Sequence, residues 1–272
     1  MAALSLAIWL LEASHVRDAL VEWQLFARAL AWSLFDGATL WLYYIAIEPY
    51  VRRFWPETIV SWSRLLAGRV RDPLVGRDVL IGLVVCGWIN GPANYLTGLM
   101  GRPERFGGSP RIMAATDLEA LLGPRLLVAE TLGAVAFALQ VAFLYLVMLL
   151  LLRVVLRRLW LVVLSFVGLT VVSGLGMFAS WFGASHPADA LVLALIAATI
   201  VGLFTRVGLL AVVALMLPMG LYLGVAAISA DASAWHAPSF YFPLVLLLAL
   251  SGYAFKLSLG RRRLWSEDGG EA

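Results

Sequence analysis

Polar side chains inside apolar runs are the residues of this sequence whose types and positions could do chemistry. Asp36, Asn90, Asn94 and Gln140 fall within stretches otherwise built mainly from Leu, Val, Ala and aromatic residues, and Glu130 lies nearer the end of its own run. Such groups are costly at bilayer depth and mark a functional-site hypothesis by default. Asp36 sits about eight residues into its run, about 12 Å deep at a helical rise of about 1.5 Å per residue. With Asn90 and Gln140 it could build a midplane site for an ion or small solute, and Gly91-Pro92 would break the helix beside them. The competing role is packing, because amides and a protonated acid also hydrogen-bond helices together.

Other chemistries find little support. His15, His186 and His236 lie outside the apolar runs, with Glu12, Asp18, Glu22, Asp189 and Asp231 on the same side, and their spacing makes no metal-ligand pattern. The single cysteine, Cys86, excludes an intrachain disulfide and a thiolate cluster. A serine elbow or paired acids for intramembrane proteolysis are missing. The sequence therefore predicts no enzyme, no metal and no cofactor.

The elements that must position these residues are membrane helices. The chain has 272 residues, 62% hydrophobic and 14% charged, with a mean hydropathy of +0.90. A soluble domain carries about a quarter charged residues. Here apolar runs of about 20 residues recur, the length that crosses a bilayer. The reading is an all-α, polytopic membrane protein forming a single domain over residues 1–272. Seven spans are expected: Arg28–Ile47, Val79–Met100, Leu126–Leu152, Leu159–Phe182, Ala190–Phe204, Gly208–Ile228 and Tyr241–Leu257. Gly202, Arg206 and Gly208 mark a tight hairpin between the fifth and sixth. The short apolar run Met1–Leu11 reads as the second half of a further helix that begins upstream, which would make the chain a fragment.

Arginine placement sets the orientation. Lys256 is the only lysine among 20 basic residues, and the excess of Arg, Ala, Leu, Val and Gly is that of a GC-rich bacterial genome. Arg52, Arg53, Arg64, Arg69, Arg71 and Arg77 follow the first span. Arg153, Arg157 and Arg158 follow the third, Arg206 the fifth, and Arg261, Arg262 and Arg263 the seventh. These alternate connections, and with them the C-terminus, belong in the cytoplasm of a bacterial inner membrane. The loop Gly101–Arg125, with four arginines of its own, votes the other way. Net charge of +3 then reports orientation and contact with anionic lipid headgroups, not nucleic acid. Three cytoplasmic boundaries repeat two arginines followed by an apolar residue and tryptophan: Arg52-Arg53-Phe54-Trp55, Arg157-Arg158-Leu159-Trp160 and Arg262-Arg263-Leu264-Trp265. Guanidinium groups snorkelling to phosphates beside an indole at headgroup depth account for the pattern.

Residues 48–78 form the most distinctive stretch. Pro56 and Glu57 suit the first turn of a helix. Ile59, Trp62, Leu66 and Val70 recur at helical spacing, while Ser61, Arg64, Gly68 and Arg71 occupy other faces. The pattern predicts a short amphipathic helix lying along the inner membrane surface, ended by Pro73. An ordinary structured loop is the alternative. Glu48-Pro49-Tyr50-Val51-Arg52-Arg53, Trp55-Pro56, Ser61-Trp62-Ser63-Arg64-Leu65-Leu66 and Arg71-Asp72-Pro73-Leu74-Val75-Gly76-Arg77-Asp78 resemble a segment in the C-terminal multi-pass membrane region of bacterial serine/threonine protein kinases of the acidobacterial type. The strong similarity covers about an eighth of the chain. It implies a membrane-anchoring or sensory module, with a cytoplasmic kinase domain as partner and N-terminal neighbour. The catalytic parts are absent: there is no Gly-x-Gly-x-x-Gly loop, no His-Arg-Asp and no Asp-Phe-Gly. Lys256 closes the last span, far from any nucleotide loop. The alternative function is a small-solute or ion transporter using Asp36.

Overall fold

The structure is a computed structural model that describes residues 1–99, 122–182, 187–224, 233, 235 and 237–260. Side chains are described outside 90–99, 177–182, 187–189 and 222–224. Among these residues the chain is all-helical: α1 (Ala2–Glu12), α2 (Ala19–Phe54), α3 (Val60–Leu66), α4 (Pro73–Leu99), α5 (Pro124–Leu156), α6 (Leu159–Phe182), α7 (Pro187–Arg206), α8 (Leu209–Gly224) and α9 (Ala237–Ser258). Each of the seven apolar runs lies largely on a helix, with the ends of the second and sixth runs outside the described residues. The first is longer than its apolar stretch. Asp18 starts it by accepting the Leu20 and Val21 amides at 2.9 and 3.4 Å, and helix continues through Pro49 to Phe54.

Four helices among the described residues are long and apolar enough to cross a membrane: α2, α5, α9 and the Leu159–Gly176 part of α6. The apolar described parts of α1, α7 and α8 are shorter. At the centre stands α8, packed between α4 and α5. Around it, α9 covers α4, α7 pairs with α6, and α1 and α2 lie against α5. The core collects Phe143 and Leu146 of α5, Phe166 of α6, Ile200 and Phe204 of α7, and Leu209 and Leu215 of α8. Lipid tails are as apolar as leucine, so close backbone approach holds such helices together better than hydrophobicity does. Gly82 provides one approach: a Cβ there would lie 2.2 Å from the Ala211 carbonyl oxygen of α8.

Two sequence expectations are corrected here. Helix α4 runs unbroken through Gly91-Pro92, because one proline removes a single backbone hydrogen bond and kinks a helix more readily than it ends one. Pro73 does not terminate the preceding helix. That helix stops at Leu66, where Gly68 takes φ +76°, and Pro73 opens α4, since a first-turn position needs no amide donor.

Candidate functional site

Asp36 and Gln140 line one cleft. It lies between α1, α2 and α5 and has a volume of about 480 Å³, with Ser5, Trp9, Arg28, Trp32 and Ser33 also on its walls. Asp36 is half-buried and accepts a hydrogen bond from the Ser5 hydroxyl at 3.1 Å. Ser33 is only 3% exposed. Helix α1 forms the cleft's outer wall, and Gly37 lets it come close: a Cβ there would meet Ala2 Cβ at 2.9 Å. The α1–α2 corner is tied by His15, whose Nδ1 lies 2.6 Å from Glu22 Oε1, while the Val16 amide donates to Glu22 Oε2 at 3.0 Å. That bond to Glu22 raises the His15 pKa above its usual 6.5, with Arg125 opposing. Arg125 of α5 donates to the Ala13 carbonyl at 3.5 Å, placing the start of α5 beside this corner.

Asn90 and Asn94 ride on α4, which packs on α8 and α9, whereas α2 packs on α1 and α5. Their side chains lie outside the described residues. The described part of the expected site, Asp36 with Gln140, is built from α1, α2 and α5. Ser5, Arg28, Ser33 and the two tryptophans were not legible as partners. Their meeting depends on how α1 rotates against α2, and an apolar run gives no sign of that rotation. His186 and His236 lie outside the described residues, as do the Gly101–Arg125 loop through residue 121 and Arg261–Arg263.

At the opposite end of the bundle, residues 48–78 form a second assembly. After α2, a 3-10 turn (Pro56–Ile59) carries the chain into α3. Ile59 and Trp62 are buried in the bundle core, with the Trp62 ring edge-on to Phe143 at 5.4 Å between centroids. Thr58 donates from its hydroxyl to the Phe204 carbonyl at the end of α7, at 2.8 Å. Leu66 and Val70 are exposed instead. The expected membrane-surface helix is corrected accordingly: its apolar face divides, and the half that begins with Ile59 wedges into the protein. A helical repeat cannot tell lipid from protein, because both reward the same side chains.

The charged signature residues brace this wedge. Arg64 clasps both carboxylate oxygens of Asp72, at 3.0 and 2.8 Å. Asp72 also accepts the Leu74 amide at 2.9 Å, capping α4. That amide bond, followed by Arg64, holds the Asp72 pKa below its ordinary value. Arg52 pairs with Glu48 one turn earlier at 2.7 Å. Asp78 is buried and pairs with Arg77 at 2.9 Å. Arg53 lies over the Phe54 ring at 5.9 Å, and Arg153 of α5 approaches the same ring at 5.7 Å. Arg71 is exposed to solvent. Gly208, at φ +142°, brings the α7–α8 turn against the Thr58 carbonyl, and Gly260 lies beside Pro73. The arginine-bearing connections at residues 55–72 and 157–158, and Arg206 in the last turn of α7, thus gather at one end with the end of α9.

No protein-family model matches the chain, and no curated protein or solved structure is significantly similar to it. Among the described residues, His, Cys, Asp and Glu form no group that could hold a metal ion.

Proposed function

We propose that this chain is a seven-span module of a bacterial inner membrane, with a cytoplasmic C-terminus, that anchors a cytoplasmic partner and conditions it through residues 48–78. The spans beyond α2, α5, α6 and α9 are α4, α7 and α8, all apolar. The gathering of Arg64, Arg71, Arg153, Arg158 and Arg206 toward one end supports the orientation, because cytoplasmic connections carry the arginine excess. The observation that carries the coupling role is the wedge. Thr58 and Trp62 are held by α7 and α5, so a shift of either helix moves the surface that bears Arg64 and Arg71. A kinase domain is the partner that the similarity of this stretch implies.

Two measurements test this. With Cys86 replaced by Ser, single cysteines at Arg17 and Arg71 should label from opposite sides with a membrane-impermeant maleimide. Labelling of position 71 from outside would refute the orientation. A photo-crosslinking residue at position 71 in the native host should capture a protein-kinase domain. Adducts to lipid alone would refute the coupling role.

A second reading is a transporter for a small solute or ion, and the cleft that joins Asp36 and Gln140 favours it. Asp36→Asn should then abolish flux while the protein stays folded.

A further inference from the structure

We propose that the cleft between α1, α2 and α5 binds a small organic ammonium ion, with the Asp36 carboxylate as its counter-charge and the Trp9 and Trp32 indoles as its walls. The inference deepens the transporter reading and rests on it for the membrane depth of Asp36. A carboxylate withdrawn from water needs a positive partner or several donors. Asp36 has one donor among the described residues, the neutral Ser5 hydroxyl. Arg28, eight positions earlier on α2, is about 12 Å away along the axis, and helical side chains lean toward the N-terminus, away from Asp36.

A second observation points into the same space. Thr131, Ser173, Thr199 and Thr205 turn their hydroxyls back onto the carbonyl four residues earlier in their helices. Ser33 is 3% exposed and lines the cleft. Its oxygen and the Gln140 amide oxygen can accept N–H donors from a primary ammonium. Indole faces attract a cation within about 6 Å of the ring, and tryptophan is the strongest of the aromatic residues at this. The cleft's volume of about 480 Å³ leaves room for such an ion. An anion would meet two carboxylates, Glu12 and Asp36, against the one guanidinium of Arg28. Arg28 is instead a competitor, repelling any cation that enters.

The test uses the full chain in lipid nanodiscs, titrated calorimetrically with tetraethylammonium chloride and with n-butylammonium chloride, against sodium chloride and sodium butanesulfonate. Saturable binding of the ammonium ions is expected. Asp36→Asn should weaken it about tenfold or more and Trp32→Ala about threefold, while Arg28→Gln should tighten it about threefold. Arg28 and Trp32 are exposed, so those two variants carry the test if Asp36→Asn fails to give a monodisperse particle. No saturable binding, unchanged affinity in Asp36→Asn, loosening in Arg28→Gln, or tighter binding of butanesulfonate would each overturn the proposal. Ammonium binding without flux would remove the transporter reading and leave the site.

Discussion

Helices α2 and α8 are both apolar, yet they meet different surroundings. In α2 only about a tenth of the most apolar window is buried within the protein, and Trp23, Trp32, Phe35, Trp41 and Leu42 stand exposed along it. In α8, Leu209, Val212, Leu215 and Leu221 are fully enclosed. Length selects α2 and passes over the described part of α8, although α8 is the more apolar of the two. The contrast shows that length and apolar character do not tell a helix with an open face from an enclosed one, and the helix that organises the bundle is recognised by its neighbours.

The largest effect that would break this contrast is at the Trp62 contact. Phe143→Ala removes a buried ring from the core and should cost about 3 to 5 kcal/mol, read by thermal unfolding in detergent. Phe35→Ala, on the exposed face of α2, should change stability by about 0.5 kcal/mol or less. Equal losses would mean that α2 is buried too, in an oligomer. At the close approach, Gly82→Ala should cost about 1 to 3 kcal/mol, since the new methyl group meets a backbone oxygen. Gly87→Ala has open space around it and should be neutral or slightly stabilising. Thr58→Val leaves the Phe204 carbonyl without its donor, for about 1 to 3 kcal/mol, and should raise proteolysis at residues 67–72. Asp72→Ala removes a helix cap, for about 1 kcal/mol.

The smallest effects concern pH, and the two ends of the bundle should respond with opposite sign. The pKa of His15 is raised in the fold, so its contribution is complete below about 6.5 and is lost as pH rises through the higher folded value. The α1–α2 corner should loosen on the alkaline side, visible in the fluorescence of Trp9, which packs edge-on to His15. His15→Gln should flatten that response. The pKa of Asp72 is lowered, so its contribution is complete above about 3.8 and is lost as pH falls through the lower folded value. Asp72→Asn should remove the acid-side loss.

Much of the fold was legible because hydrocarbon-length apolar runs leave few alternatives to helix. Asp36 and Gln140 stood out for the same reason: a polar group in such a run has no cheap place except against another helix. What escaped was azimuth. Asn90 looked like a partner of Asp36 by depth alone, yet its helix lies with α8 and α9. Ile59 and Trp62 carried the period of a surface helix and instead turned inward. The proline at 73 was misread because the same residue that closes one helix can open the next, and only the Asp72 carboxylate on the Leu74 amide reveals which.

The Thr58–Phe204 hydrogen bond also constrains how the molecule is made. The two residues are 146 positions apart, so the hydroxyl leaves the ribosome roughly 7 to 30 s before its acceptor at ordinary rates of synthesis. For more than half of that interval Trp62 also lacks Phe143. Translation slowed before α5 would lengthen the exposure of that indole, and translation slowed before α7 the wait of the Thr58 hydroxyl for its acceptor.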